Sequence, residues 1–341
     1  MNVQLAPRGA LPTSRPQDVH RRRLMAALAA LAAGAAMPRL AGAETAFPQR
    51  QLTLMVPFAP GGPVDIAARA VAEPMARRLA QSIVVVNKGG AGGNIGADEV
   101  ARSQPDGHTL LLALDSILTV NPSFYGQAAP PPALLPVGML GELSSVLVVN
   151  AKSPIKSVAD FVDYGTRQGM TAGSGGSATA GHLYAEWLKR DYGVNLTPVP
   201  YKGLSPAVQD LLAGNIDCIV ALIPGVLPHI RSGALRALGL TSIRPQILLP
   251  EVLPLSEQGL PGFTGASWLA LMVPQGVPED ARRRLAADLQ SVLDDAGVVS
   301  RLQAVGIDPF YADAAQVQER ITRERNQWAT LLQAMQRAPQ S

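Results

Sequence analysis

From Gln51 onward, apolar runs of strand length alternate with stretches in which apolar residues return every three or four positions. The first series predicts strands at 52–57, 83–86 and 109–114, with helices at 64–80 and 95–103. A proline-rich loop, QAAPPPALLP at 127–136, interrupts the alternation. The second series predicts strands at 145–149, 170–172, 197–200, 216–222 and 235–240, the last near a far edge of its sheet. Its helices are expected at 158–167, begun near Ser157, and at 179–191 and 206–214. A further strand at 265–274 precedes a helix over 278–296, where a starting proline and first-turn acids suit a helix N-terminus. A long helix over 314–335 closes the pattern. Strands alternating with helices imply an α/β protein with a mostly parallel sheet. Two such series predict two lobes, 44–146 plus 267–341 and 147–266, with crossings near 145–150 and 265–272. A cleft between lobes is the usual place for a small ligand. No internal repeat is regular enough for a solenoid.

The first 43 residues stand apart. A basic cluster, HRRR, precedes about 13 apolar residues, too few to span a bilayer, and small residues AGA follow at 41–43. This is the pattern of a signal peptide cleaved near Ala43, which places the mature chain in the periplasm. Arg21-Arg22-Arg23-Leu24-Met25 and the late Arg39 favour the twin-arginine route. The leader also carries the basic excess. Of 29 Lys and Arg and 26 Asp and Glu, it holds six arginines (8, 15, 21, 22, 23, 39) and Asp18, leaving 23 basic against 25 acidic residues, a net charge of −2. With no basic stripe interleaved with aromatics, nucleic acid is a poor partner. The one cysteine, Cys218, lies in the apolar run IDCIVALI and reads as core, and an exported chain with a single Cys makes no internal disulfide.

Three glycine loops carry the candidate chemistry: FAPGGPVD (58–65), GGAGGNIG (89–96) and AGSGGSAT (172–179). Glycines ahead of a helix let an anion approach the unpaired N–H groups and positive dipole end. No glycine run ends in the Lys-Ser or Lys-Thr of a P-loop. GSGGSA (173–178) matches G-x-G-x-x-A, yet the next strand ends in VPYKG with no acid to hold a ribose. An enzyme alternative uses Ser174 as an elbow nucleophile with His229 and Asp210 or Asp217, which would make a secreted α/β hydrolase. The mature histidines, 108, 182 and 229, lack metal-ligand spacing, and no cofactor is implied. His182 opens a helix beside the serine-rich loop, Lys202 could complement a carboxylate, Asp65 suits its helix's first turn, and Trp268 reads as half core, half cleft.

Together MVPFAPGGPVDIAAR, VVVNKGGAGGNIGADEVARSQPDGHTLLL, VPYKGLSPAVQDLLAGNID, LPHIRSGALRALGLTS and GFTGASWLALMVPQGVP resemble, in order, the Bug (TctC-like) extracytoplasmic solute receptors of tripartite tricarboxylate transporters. The similarity spans 47–335. It implies a type II periplasmic-binding-protein fold closing on an organic acid, with integral membrane transporter subunits as partners, a monomeric receptor and no catalysis. A sensor module serving a signalling partner would use the same fold. Carried over, the resemblance and the loops give a candidate ligand set of Phe58, Ala59, Pro60, Gly61, Gly62, Asp65, Gly92, Gly93, Asn94, Ser116, Ser174, Gly176, Thr179, His182, Tyr201, Lys202 and Trp268. This chain departs from the family pattern at three places. Pro63-Val64 replaces Gly-Thr, which removes a donor N–H and a hydroxyl. Gly89 stands where the family usually has proline. Val220-Ala221-Leu222 carries no acid to pair an ammonium. The ligand expected is a di- or tricarboxylate or an aromatic carboxylate without an amine.

Overall fold

The computed structural model describes residues 47–126, 134–243 and 246–337. The signal peptide and most of the proline-rich loop lie outside the described residues. The first βα series runs β1 (Leu52–Val56), α1 (Pro63–Leu79), β2 (Ile83–Asn87), α2 (Asn94–Ala101) and β3 (Thr109–Leu114). Helix α1 begins on Pro63, whose missing N–H costs nothing there, carries Asp65 in its first turn and Arg77 and Arg78 in its last, and ends on Ala80 in the left-handed region. Two short helices follow, α3 (Asp115–Thr119) and α4 (Asn121–Phe124).

Strand β4 (Leu134–Asn150) is 17 residues long, far longer than the 145–149 strand expected. The second series is α5 (Val158–Gln168), β5 (Met170–Ser174), α6 (Ala180–Tyr192), β6 (Leu196–Pro200), α7 (Leu204–Ala213), β7 (Cys218–Leu222), α8 (Ile223–Arg231) and β8 (Leu235–Leu240). Ser157 caps α5 by accepting the Asp160 N–H. The chain ends with β9 (Ala266–Pro274), α9 (Glu279–Leu293), α10 (Ala296–Ala304), β10 (Ile307–Asp313) and α11 (Ala314–Arg337). The single helix expected over 278–296 stops early because Asp295 caps a new one, its carboxylate accepting the Gly297 and Val298 N–H groups. Helix α8 escaped notice because Pro224 and Pro228 both lie within it.

The sheet order is β2-β1-β3-β9-β4-β7-β5-β6, with β10 and β8 also on β4. Pairing is parallel in β2-β1-β3 and in β7-β5-β6. Every pairing of β4, and that of β3 with β9, is antiparallel. The expectation of a mostly parallel sheet is thus corrected. Parallel neighbours arise only where a helix carries the chain back between strands, and β4 and β9 are not joined to their neighbours that way.

Strand β4 belongs to both halves. Its first part pairs with β9 from Leu134↔Pro274 to Ser144↔Ala266, and at Ser145↔Leu222 it passes to β7. Bulges bend the first part, and at Gly141 (φ +154) a Cβ would lie 2.4 Å from the Asp308 carbonyl oxygen, so only glycine fits. Beyond the transfer, alternate residues face different cores. Leu147 and Val149 pack with Phe161, Leu188 and Phe263, while Val146 and Val148 pack with Leu211, Ile219 and Val226. A separate core in the first half joins Leu54, Met75, Leu111, Leu140, Leu271 and Leu285.

Thr241 pins the place where the halves meet. Its N–H donates to the Ser145 carbonyl (2.9 Å), its hydroxyl accepts the Ser145 N–H (3.2 Å) and donates to the Gly265 carbonyl (2.8 Å), and its own carbonyl accepts the Gly265 N–H (3.0 Å). Thr241→Val keeps the shape and leaves the buried Ser145 N–H without a partner. Chemical denaturation is expected to show a loss of about 2 kcal/mol; an unchanged midpoint would contradict this role.

Candidate functional site

Four loops at the carboxyl ends of parallel strands come together. In the loop after β1, Gly61 (φ +72) turns the chain, and its N–H donates to Asp65 Oδ2 at 2.9 Å. The same carboxylate accepts Arg69 Nε (2.9 Å) and Asn87 Nδ2 (3.0 Å), while Asn87 also donates to the Phe58 carbonyl (3.2 Å). Burial pushes the Asp65 carboxyl up, but the Arg69, Gly61 and Asn87 hydrogen bonds outweigh it and hold the group below its ordinary value. Asp65 therefore fastens the loop from below.

After β2, the chain makes a tight turn over Ala91–Gly93 with Gly90, Gly92 and Gly93 at positive φ. Asn121 Nδ2 holds this turn by donating to the Gly92 carbonyl (3.2 Å) and to Asn94 Oδ1 (2.7 Å). After β5, the Ser174 and Thr179 hydroxyls both donate to the Gly176 carbonyl, at 3.2 and 2.7 Å, and His182 Nδ1 accepts the Ala178 N–H at 3.2 Å. Burial pushes the His182 imidazole below its ordinary pKa, against the pull of Glu186. After β6, the Tyr201 hydroxyl donates to Asp210 (2.6 Å), and burial together with that carboxylate pushes its pKa up to about 12.

These loops touch across the two halves. Ser205 donates to the Pro60 carbonyl (2.9 Å), Tyr125 to the Ser177 carbonyl (3.3 Å), and the Phe124 ring meets His182 edge-on at 5.5 Å. A Cβ at Gly92 would come within 2.6 Å of the Ser177 carbonyl oxygen, and one at Gly203 within 2.8 Å of the Ala59 nitrogen.

Between the loops lies a cavity of about 50 Å³. Its lining includes Phe58, Gly62, Pro63, Val64 and Leu114 from the first half, and Thr179, Ala180, Gly181, Leu204, Val220, Ala221 and Leu222 from the second, with Ser145 and Gly175. No charged side chain lines it. What does line it is a set of helix starts. Gly62, Thr179 and Leu222 are the N-caps of α1, α6 and α8, and Leu204 opens α7 after Gly203. None of the four helices has a side-chain cap. Four positive dipole ends, with first-turn N–H groups uncapped by side chains, thus converge on one apolar cavity.

Of the residues singled out in the sequence, Phe58, Gly62 and Thr179 line this cavity. Ala59, Pro60, Gly92, Gly176 and Lys202 sit at the contact between loops, and Lys202 is exposed. Asp65, Gly61, Asn94, Gly93, Ser174, His182 and Tyr201 build the loops without reaching the cavity. Ser116 is buried, with a hydroxyl that has no hydrogen-bond partner, and does not line it. Trp268 is fully buried and corrects the half-cleft expectation: its Nε1 donates to Glu324 (2.8 Å), and Arg320 lies 5.4 Å from its ring centre while bonding Glu142 and Glu324, each at 2.6 Å. Cys218 is buried, and burial pushes its thiol pKa up, which suits a core residue. Pro63, Val64 and Val220–Leu222 entered the sequence reading as departures from a family pattern, and they form cavity wall. Leu114, Ser145, Gly175, Ala180, Gly181 and Leu204 were missed; reading each strand end through the first turn of its helix would have found all but Ser145.

Among the described residues, no group of three metal-ligating side chains exists, and no helix is long and apolar enough to cross a membrane. Residues 67–336 match the profile of the tripartite tricarboxylate transporter family receptor. The chain is 35% identical to protein BugT of Bordetella pertussis over 90% of its own length and 95% of the relative's. Among solved structures it resembles an R. palustris protein with adipate (TM-score 0.82, 29% identity, 85% of this chain and 98% of that one). It also resembles MatC from Rhodopseudomonas palustris with bound malate (TM-score 0.78, 29% identity, 83% and 99%).

Two outcomes test this geometry. Gly92→Ala puts a methyl against the Ser177 carbonyl at a left-handed position; chemical denaturation should show a loss of about 1–3 kcal/mol, and an unchanged midpoint would contradict the close loop contact. Asp65 titrates below its ordinary value in the fold, so it stabilises above pH about 4, and this is lost as pH falls through the lower folded value. Asp65→Asn should flatten that acid-side fall in thermal midpoint; a variant curve parallel to wild type would rule the latch out.

Proposed function

This chain belongs to the tripartite tricarboxylate transporter family of receptors, and from that premise we propose that it captures a small organic acid without an ammonium group. The convergence of four helix N-termini on one apolar cavity supports this reading most directly. A carboxylate buried there accepts main-chain N–H bonds, each worth about 1.5–3 kcal/mol to a charged group, and gains up to about 1 kcal/mol per dipole end. Val64, Leu114, Leu204 and Val220–Leu222 suit the hydrocarbon body of such a ligand. An α-ammonium would be buried among them with no counter-charge, which is costly. The bound adipate and malate of the two related structures are acids of this kind.

The acid enters while the halves are apart, and closure brings the loops at Gly92 and Ser177, and at Ala59 and Gly203, into contact. The ligand stabilises the closed form by its differential affinity for it, about 1.4 kcal/mol per tenfold. In this reading the protein is exported after cleavage near Ala43, acts in the periplasm as a monomer, and presents its closed form to integral membrane subunits. The transfer of β4 from β9 to β7 at Ser144 and Ser145 supports lobes of 44–146 plus 267–341 and 147–266. The ligand leaves unchanged. The Ser174 hydroxyl points to the Gly176 carbonyl, and among the described residues no imidazole hydrogen-bonds to it, which speaks against a nucleophile.

Calorimetry with matched pairs tests the ligand class. Malate, succinate or adipate should bind and aspartate or glutamate should not, with affinity changing about fourfold per methylene that the apolar wall covers. Tighter binding of aspartate than of succinate would sink the proposal.

A further inference from the structure

A second chamber, of about 280 Å³, adjoins the acid cavity. Ala180 lines both, and Leu114 of the first is followed directly by Asp115 of the second. Helix α6 contributes Tyr184 and Trp187 to the second chamber, α11 contributes Glu324, Gln327 and Trp328, and the segment into β9 contributes Thr264–Ser267. Its character is the reverse of the first. Two carboxylates and three aromatic rings line it, and no cationic side chain does.

Asp115 is the group that needs explaining. It is 8% exposed, it lines the chamber, and its Oδ1 has no hydrogen-bond partner. Among the described residues it joins no salt bridge. The guanidinium whose charge reaches it, that of Arg320, is held by Glu142 and Glu324 and rests on the Trp268 ring. A buried carboxyl without a counter-charge is costly as an anion. A second anion would face both Asp115 and Glu324. Calcium or magnesium wants about six oxygen ligands, more than two carboxylates provide. Indole and phenol faces favour a soft cation with a hydrocarbon body.

We propose that this chamber is a binding site for a small organic ammonium ion, with Asp115 as its counter-charge and Tyr184, Trp187 and Trp328 as its walls. The site is separate from the acid cavity and does not depend on what that cavity takes. Burial, reinforced by the Glu324 carboxylate, pushes Asp115 up to about 8, while the Ser116 backbone, Arg320 and Ser267 pull the other way. Tyr184, Thr264, Ser267, Glu324 and Gln327 are the other titratable or hydrogen-bonding side chains that face the same space, with the indoles of Trp187 and Trp328. The carboxyl is therefore largely protonated near neutrality. An arriving ammonium supplies the missing positive charge, the carboxyl ionises, and its proton leaves to buffer. Binding and proton release are linked.

The protein has three tryptophans, and two of them line the chamber, so intrinsic emission reports its occupancy. Ethylammonium chloride titrated into the purified full chain, against sodium chloride at equal ionic strength, should give a saturable change. Calorimetric heats near neutral pH should depend on the buffer's ionisation enthalpy. Asp115→Asn should weaken ethylammonium at least about tenfold and abolish the buffer dependence. Gln327→Lys, at an exposed position on the chamber rim, should weaken it similarly even if the first variant folds poorly. Malate and adipate titrated in parallel read the acid cavity on its own. A response equal to that of sodium chloride, or undiminished ethylammonium affinity in Gln327→Lys or in folded Asp115→Asn, would overturn the assignment.

Discussion

The molecule depends on one strand serving two sheets. Strand β4 gives its first part to β9 and β10 and its last to β7 and β8, and the change of partners falls between Ser144 and Ser145. Thr241 makes that point definite by tying Ser145 and Gly265 together through main chain and hydroxyl alike. Gly265 is held to this geometry from the other side as well: a Cβ there would lie 2.2 Å from the buried Tyr184 hydroxyl. Ser145 itself lines the cavity, so the change of partners sits in the cavity wall.

The site uses two kinds of electrostatics, kept apart. Full charges do structural work out of the ligand's reach. Asp65 with Arg69 sets the first loop, and Arg320 with Glu142 and Glu324 ties α11 to β4. The cavity itself is lined by hydrocarbon, oriented peptide dipoles and the neutral Ser145 and Thr179 side chains. Dipoles fixed by the ends of helices need no reorganisation when a ligand arrives, whereas a flexible lysine would lose side-chain entropy.

Much of this was legible in the residues. Alternating apolar runs gave the βα series, and the glycine loops lie where parallel strands end. Pro63-Val64 and Val220-Ala221-Leu222, unusual against the resembled family, proved to be cavity wall. Other features were hidden for physical reasons. Whether Tyr201 faces a ligand or Asp210, nine residues on, is decided by a hydrogen bond that no spacing rule separates from an open hydroxyl. Trp268 looked amphipathic because indoles often are, and its N–H is satisfied by Glu324, 56 residues later. The length of β4 was obscured by Pro136, which closes the proline-rich loop of the sequence, and by Gly138 and Gly141, all three of which sit at bulges.

The absence of a fixed cation in the acid cavity has a consequence for the medium in which it works. Counter-ions compete with a ligand mainly where a mobile side chain presents a bare charge, and about 0.15 M salt screens such charges beyond some 8 Å. Peptide dipoles at helix ends act over shorter range, from among hydrocarbon side chains. In the proposed reading, binding at this cavity would therefore lose less affinity with added inert salt than binding by an exposed lysine.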